Sequence, residues 1–316
     1  MSNYGMPYMG SKSGIIESIA LNFPKADHFY DLFGGGFSVT DYMIRNRSGS
    51  YKYFHYNEIN PSTVDLVKRA ISGEFNPSRY KQKWVSREEF SSRIDDAAIR
   101  VIWSFGNNQK GYLFSKEIEP YKKSMHMAVV FGEFDDLAKK VLRLSSWPAS
   151  VASMKARRYY LRQIIEHYRV TKIPTVLHKF LDPKQLQRLQ QLQRLEQLER
   201  LQQLERLEQL QRLERLERLQ QLERLELASL DYRKVEIHPN SVVYCDIPYK
   251  GTAGYLVEFS HNEFFDWAAS RPVPVFISEY KIEDPRFKLV YSIPKKSSLS
   301  GGSSTQTEER LYWNGV

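Results

Sequence analysis

Apolar positions along the chain fall into two kinds of run. Short continuous runs rich in aromatic and β-branched residues occur at HFYDLF (28–33), YKYFHY (51–56), NSVVYCDI (240–247), PVPVFISEY (272–280) and FKLVYSI (287–293). Each has the length and composition of a buried strand, bounded by Gly, Pro, Asn or Asp. Runs with apolar residues three and four apart predict helices at FSVTDYMIRN (37–46), TVDLVKRAI (63–71), REEFSSRIDDAAIRVIW (87–103), EFDDLAKKVLRL (133–144) and ASMKARRYYLRQIIEHY (152–168). Strands alternate with helices near both ends, and the middle is helical. This pattern predicts an α/β sheet domain split by an inserted, mostly helical region. The expected boundaries are a core of residues 1–74 and 229–316, and a helical region of residues 75–184.

Residues 185–228 form a third segment of another kind. Leucine stands at every third position from Leu186 to Leu225, with only Gln, Arg and Glu between. All four residue types favour helix. With 3.6 residues per turn, a spacing of three turns the leucine stripe steadily around the axis, so no face is apolar and no coiled-coil seam forms. The segment reads as a low-complexity, helix-forming insert in a surface loop. Partner binding or self-association through its leucines is the competing reading.

Charge narrows the class of partner. The chain carries a net charge of +9, and the repeat, whose Arg and Glu cancel, contributes none of it. A basic, aromatic-rich body is suited to a polyanion, nucleic acid first. The single cysteine, Cys245, excludes an intrachain disulfide and fits a reducing compartment. No long apolar run suggests a membrane span, so a cytoplasmic protein of a bacterial or phage-infected cell, acting as a monomer, is expected. The seven histidines show no metal-ligand spacing, and no metal is expected.

The candidate chemistry lies in three places. DLFGGGF (31–37) is a strand, three glycines and a helix start, an arrangement that lets backbone approach a ligand. It lacks the Gly-Lys-Ser/Thr of a P-loop and the spacing of a dinucleotide fingerprint. Glu58, just after the second strand, stands where an acidic residue can hold ribose hydroxyls. A nucleoside with a cationic part, S-adenosylmethionine, fits both. The third place is VVYCDIPYK (242–250), where an apolar strand ends on a carboxylate, a proline and an aromatic ring. Asp246 and the main-chain carbonyl of Ile247 can accept hydrogen bonds from an exocyclic amine, Pro248 stiffens the turn, and Tyr249 offers a ring on which a base can stack.

Taken in order, these motifs resemble those of the Dam-type DNA adenine-N6 methyltransferases, a family with many phage-encoded members. YMGSK (8–12) resembles the family's N-terminal donor motif, DLFGGGF its glycine loop, NEIN (57–60) its acidic ribose motif, and SVVYCDIPYKGTAGY (241–255) its Asp-Pro-Pro-Tyr motif with flanks. VPVFISEY (273–280) and EERLYWNG (308–315) resemble its late strands. The resemblance implies a Rossmann-like S-adenosylmethionine-dependent methyltransferase sheet with an inserted DNA-recognition region. It implies transfer of a methyl group to N6 of an adenine flipped out of double-stranded DNA, without a metal. Asp246, Ile247, Pro248 and Tyr249 then take the catalytic positions. Tyr8, Gly10, Lys12, Asp31, Phe33, Gly34, Gly35, Gly36, Glu58 and Asp246 surround the donor. Asn107, Asn108, Lys110 and Tyr112, in the polar loop SFGNNQKGYLF (104–114), and Arg157 and Arg158, in KARRYY (155–160), are the expected DNA contacts.

The chain departs from the family at Ile247, where the family has its first proline. Isoleucine supplies the same carbonyl without the fixed φ, and activity is expected to survive. Two other readings stay open: a methyltransferase fold that binds DNA with impaired transfer, and a methyltransferase acting on cytosine N4 or on RNA.

Overall fold

A computed structural model describes residues 4–76, 83–170, 224–250, 259–296 and 306–316. Most of the leucine repeat lies outside the described residues. The protein is built on a seven-stranded mixed sheet in the order β3-β2-β1-β4-β5-β7-β6. The strands are β1 (His28–Asp31), β2 (Tyr53–Asn57), β3 (Leu225–Ala228), β4 (Ser241–Asp246), β5 (Val275–Glu279), β6 (Lys288–Lys296) and β7 (Gln306–Trp313). The first five are parallel, and β7 runs antiparallel to both β5 and β6. The order reverses between β1 and β4. That reversal leaves a crevice at the carboxyl ends of the two strands, where ligands bind in doubly wound sheets.

Burial on both faces explains the continuous apolar runs. On one face Tyr30, Leu32, Val243, Cys245, Ile247, Val275 and Ile277 pack with Phe264 and Ala268. Those two belong to helix His261–Ala269, numbered α9 below. On the other face Phe29, Tyr244 and Phe276 meet Phe23. Alternate residues of β1 and β4 serve opposite faces, as the period of a strand requires.

The helices of the first half are α1 (Ile16–Ala20), α2 (Ser38–Arg47) and α3 (Pro61–Ile71). Helix α3 starts two residues before the expected run at 63–71: Pro61 occupies the first turn and the Asn60 side chain accepts the Ser62 N–H. The run at 87–103 is two helices and not one, α4 (Arg87–Ser92) and α5 (Ala97–Ile102). Asp96 separates them, because its carboxylate caps α5 through the Ile99 N–H. Residues 87–111 cluster with the sheet. The sequence placed them in the inserted region.

A second compact unit contains the described residues 83–86 and 112–170. It holds α6 (Glu119–His126), a π-helical turn at Met127–Phe131, α7 (Asp136–Leu142) and α8 (Met154–Val170). Its small apolar core joins Met125, Ala128, Ala138 and Leu142 with Phe134, Trp147 and Leu161. The Asp135 side chain caps α7. No helix among the described residues is long and apolar enough to cross a membrane.

One boundary differs clearly from expectation. Leu225–Ala228, read as the end of the repeat, is β3, paired in parallel with Phe54–Asn57 of β2. Pairing to an existing sheet edge overrides the helical composition of the segment.

Candidate active site

Lys12 is buried against two carboxylates. Its ammonium lies 2.7 Å from Asp246 at the end of β4 and 3.2 Å from Glu309 on β7, and it also donates to the Gly10 carbonyl at 3.2 Å. Burial alone would push the lysine toward neutrality. The facing Asp246 and Glu309 carboxylates and the Tyr244 hydroxyl outweigh it and raise its pKa, so it stays charged. Glu309 also accepts a hydrogen bond from the Tyr249 hydroxyl, and the Lys12 ammonium lies 4.9 Å from the centre of the Tyr249 ring. Tyr249 is buried, with Tyr280 edge-on to its ring at 4.6 Å.

The turn after Asp246 is held from outside. Near the start of α9, His261 donates from Nε2 to the Pro248 carbonyl at 2.8 Å. Glu279, at the end of β5, accepts the Lys250 N–H at 3.1 Å and the Tyr280 N–H at 2.7 Å. Ile247 turns the other way and is a core residue, packed with Tyr30, Leu32 and Phe264. An isoleucine here contributes apolar burial that proline would only partly supply.

The glycine loop is shaped by tyrosines. A Cβ at Gly34 would lie only 2.2 Å from the edge of the Tyr56 ring, and one at Gly36 would lie 2.8 Å from the Met6 carbonyl. Tyr56 donates its hydroxyl to the Gly35 carbonyl at 2.7 Å. The N-terminal segment crosses the loop, with the Met6 N–H on the Gly36 carbonyl and the Gly5 N–H on Asp41. The missing side chains therefore admit protein at Gly34 and Gly36, where the sequence suggested only room for a ligand. Phe33 lies on the far side of the loop, among Tyr232, Phe259 and Phe264. Tyr8 lines the loop at Gly35 and Gly36, while Gly10 has open space around it.

The two acidic residues expected to meet a donor differ. Glu58 accepts the Gly35 N–H and the Asn60 N–H, both at 3.0 Å, and burial raises its pKa. It braces the loop to the end of β2. Asp31 accepts the Thr40 hydroxyl at 2.7 Å on Oδ2, while its buried Oδ1 has no hydrogen-bond partner among the described residues. Burial pushes its pKa up to about 7; the Thr40 hydrogen bond opposes the shift and the Asp246 charge adds to it. An unpaired buried carboxylate oxygen beside further carboxylates is a place for a cationic or hydrogen-bond-donating ligand.

The expected DNA contacts fare unevenly. Asn107 donates to the Val101 carbonyl, and Asn108 accepts the Lys110 and Gly111 N–H groups, so both side chains shape the loop. Lys110 is exposed, as is Phe105. Gln109 reaches the Asn60 amide at 3.5 Å, which places this loop beside the Glu58 turn. In the second unit Tyr112 donates to the Val85 carbonyl. Arg157 donates to the carbonyls of Val129, Val130 and Ala152 and so ties the π-helical turn. Arg158 is partly buried beside Arg162, and burial lowers its pKa. Sequence reasoning did not single out Glu279, His261 or Glu309. The glutamates stood in the quoted late strands, but nothing local says that a strand-borne glutamate will face a lysine from the start of the chain.

A doubly wound sheet with one buried lysine and several carboxylates at its switch point defines an α/β enzyme with its site in that crevice. The family model for D12 class N6 adenine-specific DNA methyltransferases matches residues 8–267. The chain belongs to this family, as the motif order implied, and is an enzyme of that type, with adenine in DNA as its substrate. No curated protein sequence matches the chain.

Proposed function

We propose that the chain transfers a methyl group from S-adenosylmethionine to N6 of an adenine turned out of double-stranded DNA. The observation that carries this reading is the charge at the crevice. Asp246 and Glu309 converge on one buried cation, Lys12, and Asp31, which feels the Asp246 charge, keeps an unpaired oxygen. Such an excess of acid suits a cationic, amine-bearing donor. Asp31 would hold the donor's ammonium, and Glu58, with lone pairs left after its two backbone bonds, would take ribose hydroxyls. S-adenosylmethionine, when bound, supplies the methyl group from its sulfonium.

The chain's own residues prepare the acceptor. Asp246 and the Ile247 carbonyl accept hydrogen bonds from the amine hydrogens of the adenine, which leaves the nitrogen lone pair free to attack. Lys12 keeps Asp246 ionised and aimed. Glu309 holds Lys12 from behind and anchors the Tyr249 hydroxyl. His261 and Glu279 fix the turn that carries these groups. Tyr249 stacks on the base. Lys110 and Phe105, exposed beside the Glu58 turn, contact DNA, and the helical second unit contributes to target recognition. The burial of Ile247 supports a working enzyme over an impaired one, because the side chain has a packing role that keeps the turn in place.

The test is incubation with labelled S-adenosylmethionine and unmethylated DNA, followed by digestion to nucleosides. Label in N6-methyladenine is expected, and Asp246→Ala should remove it. Label in N4-methylcytosine, or transfer to RNA alone, would overturn the acceptor. A folded protein that binds donor without transfer would establish the impaired reading.

A further inference from the structure

At the other end of the sheet the fold gathers three histidines that sequence spacing keeps far apart. His28 opens β1, His55 lies in β2, and His238 stands in the loop that leads into β4. One ring nitrogen of each lies within 4.8 Å of the other two. His28 Nδ1 and His55 Nε2 are 2.9 Å apart. His28 and Asp31 stand at opposite ends of β1, so the cluster is about 10 Å from the crevice.

The outer contacts of the cluster are those of ligating imidazoles. His55 Nδ1 meets the Glu226 carboxylate of β3 at 2.9 Å. A carboxylate there fixes the proton on Nδ1 and leaves the lone pair on Nε2, which faces His28. His238 Nδ1 meets the Tyr30 hydroxyl at 2.6 Å, and its own backbone N–H also donates to that hydroxyl. Tyr30 stacks on His55 at 4.0 Å, and Tyr53 on His28 at 4.9 Å. His55 thus carries a carboxylate on the nitrogen away from His28, His238 has a polar partner on one ring nitrogen, and His28 and His55 stand on adjacent strands of the sheet.

We propose that His28, His55 and His238 form a binding site for a borderline divalent cation, with zinc the reference ion and nickel and copper(II) as related guests. Three neutral imidazoles without thiolate or carboxylate ligands select these ions over magnesium or calcium. Zinc bound through nitrogen at about 2.0–2.1 Å in a tetrahedron needs donors about 3.3 Å apart. The His28 and His55 nitrogens, 2.9 Å apart, therefore open by a few tenths of an ångström and His238 reorients to meet the ion. His238 is exposed on its loop and supplies most of the movement, fanning away from its parallel stack on His28, now 4.6 Å apart. The fourth position is left to water. The ion would pin the 235–240 loop, and with it the entry to β4, to strands β1 and β2. It takes no part in methyl transfer.

The experiment uses the full chain, freed of any affinity tag and of bound metal. Cobalt(II) is titrated while visible absorption is followed, and zinc is titrated by calorimetry. Expected are one ion per chain, intense tetrahedral cobalt bands displaced by zinc, and a melting temperature raised by zinc but not by magnesium. His238→Ala, at an exposed position, should weaken binding about 100-fold or more and abolish the bands. Glu226→Gln should weaken it by about 10–100-fold, the usual effect of losing an outer partner of a ligating histidine. Retention of stoichiometry and affinity in His238→Ala, or no saturable binding in the parent, overturns the proposal. Neither result bears on methylation, which His238→Ala should leave unchanged.

Discussion

The glycine loop and the Asp246–Lys250 turn follow adjacent strands, yet different forces hold them. The loop is fixed by shape: Tyr56 and the N-terminal segment occupy the volumes that side chains at Gly34 and Gly36 would fill. The turn is fixed by charge and hydrogen bonds: Lys12, His261, Glu279 and Glu309 reach it from four separate parts of the chain. A site can therefore fail in two ways, by crowding on one side and by uncompensated charge on the other. Each failure should have its own remedy.

The largest expected effect is at Lys12. In Lys12→Met, Asp246 and Glu309 face each other without a cation. Breaking a buried pair in this way costs about 3–5 kcal/mol, and turnover should be lost with it. Adding Glu309→Gln removes the surplus charge and should restore part of the stability but not the activity. Urea unfolding of the single and double variants measures this. An additive double variant would show that charge does not hold the turn.

Gly34→Ala should come next, destabilising the fold by about 1–3 kcal/mol through overpacking against Tyr56. Here the remedy is steric: Tyr56→Leu should relieve Gly34→Ala, and no change of charge should. Thermal unfolding of the pair would test it, and a Gly34→Ala protein as stable as the parent would remove shape as the organising force.

A smaller effect is expected from pH. Asp31 has a folded pKa of about 7, raised from an ordinary 3.8 mainly by burial. Between those values the folded chain binds more protons than the unfolded one. Its donor-free stability should therefore fall as pH rises from about 4 to about 7. A donor held by ionised Asp31 must displace that proton, so donor affinity should rise with pH, by up to about tenfold per unit below 7. Calorimetric affinities at pH 6 and 8 would show it. In Asp31→Asn the slope should vanish, and a slope unchanged there would assign the proton elsewhere. The smallest effect is reserved for Ile247→Pro. Added stiffness and lost apolar packing oppose each other, and turnover should change by less than about threefold, a barrier change under about 1 kcal/mol.

Much of the sheet was legible because its strands are buried on both faces and their apolar runs are continuous. HFYDLF, YKYFHY and NSVVYCDI became β1, β2 and β4. Strand β3 was not legible, since LELA continues the composition of the repeat before it and only pairing with β2 makes it a strand. Asp31, Glu58 and Asp246 could be read because each stands at or just past the end of a strand. Their partners could not. Glu309 meets Lys12 through the β5–β7 pairing, and His261 reaches Pro248 from a helix, relations that exist only once the chain is folded. The histidine cluster stayed hidden for the same reason. Its members stand on three segments whose adjacency comes from parallel pairing and from one loop.

The Lys12–Glu309 contact also has a consequence for the order of events during synthesis. The two residues are about 300 positions apart, so at about 5–20 residues per second the lysine is made some 15–60 s before its second carboxylate. Throughout that interval its ammonium has to remain in water, because burial without both partners is unfavourable. The N-terminal segment that crosses the glycine loop therefore cannot settle when it emerges. It waits for β7, so residues made well before that strand are among the last to reach their places. A ribosome halted before Glu309 would present a sheet whose donor crevice is still open on the Lys12 side.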